Sequence, residues 1–274
     1  MVKKSKTIFS ADIHQGFRLK CIIAIFGVVV CLVLDNLESL KMTINNPLIY
    51  QEGSVMCVQY FYFNAVSFGG VFSSYLLPIM AAIPFAASYS IEQENRMVIY
   101  KIARSGKKQY FTSKILVSVL TGGTTIVVGS LLFILILATY LPIVTPGKVF
   151  EMTGFPYHNA LANGNGLPYM AIALYLALLS GALWSSAGMC ISAFLPSPYL
   201  AICFPMIFQF LVVELGRLLH LPNGLRLDML LCGRGAFLSD GTTLIVVTIA
   251  VAVLIALFGK LFANRCERRL EGAS

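Results

Sequence analysis

The chain has 274 residues, of which 58% are hydrophobic and only 12% charged. A water-soluble domain carries about 25% charged residues, so this surface is too apolar to be covered by water alone and part of the solvent must be lipid. The formal net charge of +8 reads in such a chain as an asymmetry between the two sides of a membrane, and no nucleic-acid partner is expected.

In lipid, backbone polar groups must be satisfied within the chain, which restricts spanning structures to helices and closed barrels. The apolar runs here are long and continuous, unlike the alternation of a barrel strand. The predicted fold class is therefore an all-α polytopic membrane protein, with the whole chain, 1–274, forming a single transmembrane domain.

The N-terminus opens Met1-Val2-Lys3-Lys4-Ser5-Lys6. An apolar run begins only near Cys21, and Asp35, Asn36 and Glu38 follow it instead of a small-residue cleavage site. It reads as an uncleaved first span. Before it, Phe9, Ile13 and Phe17 recur every four residues, while Lys6, Asp12, His14 and Arg18 lie largely off that face. This spacing predicts an amphipathic helix over 5–18 lying along the inner membrane surface.

A helix needs about 20 apolar residues to cross the hydrocarbon core. Six segments qualify, at approximately 19–37, 64–90, 114–140, 167–195, 199–219 and 241–262. Pro196-Ser197-Pro198 breaks the chain between the fourth and fifth. Pro78, Pro84 and Pro205 predict kinks. Small-residue patches at 67–70 and at Thr121-Gly122-Gly123-Thr124, and the set Gly181, Ser185 and Gly188, read as close helix packing.

Fifteen of the 20 Lys and Arg residues fall on one side of this layout. They are Lys3, Lys4, Lys6, Arg18 and Lys20; Arg96, Lys101, Arg104, Lys107, Lys108 and Lys114; and Lys260, Arg265, Arg268 and Arg269. That side is predicted to be cytoplasmic and to hold both termini. Lys41, Lys148, Arg217, Arg226 and Arg234 lie on the other side, and three of these five crowd into 217–240. Cys57 and Cys232 also fall there, which leaves room for a disulfide between them.

No P-loop, HExxH, GxSxG or DxDxDG motif occurs, and His14, His158 and His220 are too scattered for a metal site. The chain reads as neither an enzyme nor a nucleotide binder, with no cofactor or metal of its own. Ionisable groups are nearly absent from the spans. Glu214 sits at depth, three residues from Arg217 and so on one helix face with it; the two are expected to pair or to face a pathway or subunit interface.

The stretch 91–114 is the most informative. Glu92 and Glu94 come first, then Arg96, Met97, Val98, Ile99, Ile102 and Arg104, then Ser105-Gly106 and a basic re-entry through Lys107, Lys108, Tyr110 and Lys114. Acids at the start of a helix and bases at its end suit the helix dipole. Apolar residues on a helix outside the membrane need a partner to cover them.

This stretch resembles the first cytoplasmic loop of ABC-2-type export permeases, the membrane subunits of ATP-binding cassette transporters. Glu92 and Glu94 match the family's acidic start, Ile99 to Ala103 its apolar core, Arg104-Ser105 its turn, and Tyr110 and Lys114 its re-entry. Asn95-Arg96 departs from the usual Gly-Thr, and no proline follows Arg104. The resemblance covers nearly the whole chain in topology. It implies that 91–111 is a coupling helix docking on a separate cytoplasmic ATPase subunit, which would bind the ATP and Mg. It also implies a second permease subunit, a multi-pass place in a bacterial cell membrane, and a short re-entrant element, for which 218–240 is the candidate. A membrane-embedded assembly protein without transport and an ion-coupled secondary transporter are the competing readings.

Overall fold

The computed structural model describes residues 2–45, 57–67, 70–143, 156–157, 166–195 and 197–271, and these are all-helical apart from turns and loops. The helices are α1 (Val2–Gly16), α2 (Leu19–Asp35), α3 (Leu37–Asn45), α4 (Val58–Ser67), α5 (Val71–Ala82), α6 (Ser88–Glu94) and α7 (Met97–Ser105). They continue with α8 (Lys107–Ala138), α9 (Gly166–Ser192), α10 (Pro198–Leu218), α11 (Leu227–Leu231) and α12 (Asp240–Glu271). The expected Lys148 site and most of 144–165 lie outside the described residues.

Four of these helices, α8, α9, α10 and α12, are long and apolar enough to cross a membrane. Two further candidates are bent pairs: α1 with α2, at 43°, and α4 with α5, at 78°. The expected continuous helix over 64–90 is thus interrupted, as in a broken span or a re-entrant loop. Asp35, at the end of α2, supplies the reason. Its carboxylate accepts from the backbone N–H groups of Phe72 (3.0 Å) and Ser73 (2.7 Å), the first turn of α5. Those N–H groups have no partner inside their own helix, and a carboxylate satisfies both them and the helix dipole. A Cβ on Gly70 would collide with that carboxylate, so the position takes glycine.

At 32 residues each, α8 and α12 are about 48 Å long, well beyond a hydrocarbon core of about 30 Å. Their surplus turns meet at one end of the bundle, where the first turns of α8 and the last turns of α12 lie. We call this the α7 end. A second hydrophobic cluster forms there from Phe85, Tyr89, Val98, Tyr110, Phe111, Met189, Phe262 and Cys266, with Phe9, Ile13 and Ile102 packed on it. So the apolar face of α1 packs on protein through Phe9 and Ile13, while Phe17 lies beyond the helix and is exposed.

The central pairing is α8 with α9, and the small residues make it possible. Ser118 donates to the Ser185 carbonyl at 2.9 Å, and its hydroxyl lies 2.8 Å from that of Ser185. A Cβ on Gly122 would run into Ser185 and lie 2.5 Å from the Gly181 carbonyl oxygen. Gly122→Ala is expected to cost about 1–3 kcal/mol by overpacking. Gly259→Ala, where a Cβ meets only ordinary contacts at 3.7 Å, should be neutral or slightly stabilising. Thermal melts of the two variants in detergent check this, and equal melting temperatures would contradict it.

All seven cysteines are free thiols, so the disulfide between Cys57 and Cys232 is not formed; Cys57 is buried. At the end opposite α7, residues 219–239 hold a 3-10 turn (Asn223–Leu225) and the one-turn α11, whose Leu230 and Leu231 enter the main core.

Candidate functional site: a buried ion cluster behind an exposed helix

The stretch 91–111 is three helical pieces rather than one. Arg96 adopts a left-handed backbone (φ 55°), which separates α6 from α7. Gly106, at φ 88°, turns the chain from α7 into α8; a Cβ is disfavoured there by backbone geometry alone, because the space around it is open. The two turns fold α6, α7 and the start of α8 back on each other.

This folding brings charged side chains together. Lys114, on α8, is completely buried. Its ammonium donates to Glu92 Oε1 at 2.5 Å and to Asp12 Oδ1 at 3.1 Å. Lys101, on α7, donates to the same Glu92 oxygen at 2.6 Å and lies 3.8 Å from Asp12. Tyr110 donates to Glu92 Oε2 at 2.7 Å, and Ser113 donates to Asp12 Oδ2 at 2.8 Å. The Phe85 ring lies 4.8 Å below the Lys114 ammonium.

Two cations face two carboxylates, so the cluster is neutral as a whole. Each buried charge is hydrogen-bonded, which is the condition under which such burial is tolerated. Burial by itself would raise the Glu92 carboxyl, but Lys114, Lys101 and Tyr110 outweigh it and hold the group below its usual range. Burial and the neighbouring Glu92 carboxylate push the Tyr110 hydroxyl far up, so it stays protonated and remains a donor. The cluster joins four elements, α1, α6, α7 and α8. A further tie comes from α12, where Arg269 donates to Gln93 Oε1 (2.8 Å) and to the Phe194 carbonyl (3.2 Å).

The expected coupling residues divide between two faces. Glu92 is buried in the ion cluster and Val98 is 6% exposed, facing the second core, with Ile102 packed beside it. Glu94, Arg96, Met97, Ile99 and Arg104 are exposed. Met97 is 52% exposed and Ile99 62%. Tyr100, at 70%, joins this outward face and escaped the sequence reading. So did the roles of Asp12 and Lys101. The available signal was Lys114 at the mouth of an apolar run, since a lysine there demands a partner.

At the opposite end, Arg217 donates to Glu214 at 3.1 Å, and both side chains are exposed. Arg226 pairs with the buried Asp228 at 2.7 Å. Among the described residues, no group of three His, Cys, Asp or Glu side chains is arranged to hold a metal ion. Comparisons with protein-family models, curated proteins and solved structures returned no match to the chain.

Proposed function

We propose that the chain is the permease subunit of an ATP-driven exporter of the ABC-2 type. A separate cytoplasmic ATPase binds and hydrolyses the ATP, and a second permease subunit completes the pathway. In this reading all six candidate spans cross the cell membrane, the α7 end is cytoplasmic, and 218–240 re-enters from the far side. The basic side chains gathered at the α7 end support that orientation.

One observation carries the reading. Helix α7 presents Met97, Ile99 and Tyr100 outward, while its inner face is locked by Lys101 and the Glu92–Lys114–Asp12 cluster to α1 and α8. An apolar tip fixed to a buried ionic base acts as a lever. Movement of a protein docked on α7 would reach α8, one of the two longest candidate spans, without loss in a flexible loop. A plain connecting loop has no need of either feature.

The test is purification of the tagged full chain from its native membrane in mild detergent. A Walker-motif ATPase should copurify in near-stoichiometric amount. Recovery of the chain with no such ATPase, under conditions where it remains folded, contradicts the reading.

A further inference from the structure

Two basic residues, Arg18 and Lys20, sit at the 43° bend where α1 gives way to α2. They line a cavity of about 390 Å³ between that bend and residues 83–91. Phe85 belongs both to its wall and to the second hydrophobic cluster, which sets the cavity at the α7 end. Ile83, Pro84 and Ile91 make much of the wall apolar, and Gln15 and Ser88 are its uncharged polar residues. No carboxylate lines it among the described residues. The acids nearest in sequence, Asp12 and Glu92, are committed to Lys114 and Lys101. Arg18 and Lys20 themselves form no ion pair among the described residues.

Ser88 is a second, independent signal. It is 4% exposed, and its hydroxyl has no hydrogen-bond partner. A buried hydroxyl is seldom left so, because it costs the desolvation of an unmade bond. Leu19 and Lys20 open α2, and the leading N–H groups of a helix also favour an anion. Further along α2, Ile22, Ile23 and Phe26 are exposed apolar side chains.

We propose that this cavity holds the phosphate of an anionic phospholipid drawn from the leaflet at the α7 end. Arg18 and Lys20 supply the charge, and the guanidinium offers a planar fork of donors that matches phosphate oxygens. The Ser88 hydroxyl donates to a third oxygen. The acyl chains run along the exposed apolar face of α2. Bound there, the lipid braces the bend between α1 and α2. Phosphatidylcholine fits poorly, since its own ammonium meets a wall of cations with no acid. The volume falls within the range of about 300–1,000 Å³ usual for ligand sites. Nothing in the site calls for an ATPase, so it stands whether or not the export reading holds.

The experiment titrates the full chain in nonionic detergent with phosphatidylglycerol, phosphatidylcholine and glycerol 1-phosphate, and follows the melting temperature. Phosphatidylglycerol should raise it saturably and phosphatidylcholine should not. Arg18→Gln should raise the half-saturating phosphatidylglycerol concentration about tenfold, and Lys20→Gln and Ser88→Ala by smaller factors. Without lipid, Ser88→Ala should melt no lower than the parent chain, because it deletes a hydroxyl that bonds nothing. It therefore reads the site even if the charge variants unfold early. Lys108→Gln removes the same charge from an exposed position at the same end and should change nothing. An equal loss from Lys108→Gln would reduce the effect to the attraction of any basic face for anionic lipid, and would overturn the proposal. So would an equal response to phosphatidylcholine, saturation by glycerol 1-phosphate at the same concentration, or a Ser88→Ala chain that binds as the parent does.

Discussion

Lys114→Met should be among the most damaging single substitutions in the chain, costing about 3–5 kcal/mol. The side chain is fully buried and bonded to both Glu92 and Asp12. Methionine fills much of the space but leaves two buried carboxylates with Lys101 alone to balance them. The expected result is a melting temperature lower by on the order of 10 °C in detergent. The double variant Lys114→Met, Glu92→Gln restores neutrality, since Asp12 then faces Lys101, and should recover at least half of the loss. That recovery marks the cluster as an interacting unit. A double variant no better than the single one would show that packing, not charge balance, sets the stability.

The same cluster sets an acid limit. The Glu92 carboxyl is held below its ordinary value of 4.5 in the folded chain. A depressed acid contributes stability that is present above the unfolded pKa and is lost as pH falls through the folded one. The contribution should therefore persist at neutral pH and fade only below about pH 4.5, and Glu92→Gln should flatten the acid limb.

On the export reading proposed above, Ile99→Asp should abolish binding of the partner ATPase while leaving the chain folded. Ile99 is 62% exposed, so aspartate there costs little in the isolated chain. In a docked interface the same change buries an unpaired charge among apolar anchors, a loss of 2 kcal/mol or more, which is about thirtyfold in affinity. Val98→Asp is the internal comparison. Val98 faces the second hydrophobic core, and its substitution should lower the melting temperature directly. Copurification and thermal melts on the two variants separate the faces of α7. Loss of ATPase from the Val98 variant alone, with Ile99→Asp binding normally, would remove α7 as the docking element.

Much of this architecture was legible in the sequence, for particular reasons. The apolar runs behind α8, α9, α10 and α12 are long enough that their length alone marks them. Gly122, Gly181 and Ser185 advertised close packing, and they lie at the α8–α9 contact. The break between α4 and α5 was not legible, because Asp35, which caps α5, sits 37 residues from its partner Phe72. The ion cluster escaped for the same reason. Asp12 and Ser113 are 101 residues apart and share no local pattern. Asp12 even appeared to belong to the polar face of α1, where neutralisation by Lys114 overrides periodicity. The turn at Arg96 had no sequence signature either, since arginine has no preference for a left-handed backbone. What the sequence did expose was the arginine anomaly at 217–234, although not that Arg226 pairs with the buried Asp228.

The most direct test of the lever is a photo-crosslinking residue placed at position 100, where Tyr100 is 70% exposed at the tip of α7. Illumination of native membranes should yield an adduct between the chain and a Walker-motif ATPase, and the same probe at position 98 should yield only crosslinks within the chain. Adducts to lipid alone at position 100, or to an unrelated protein, would contradict the account.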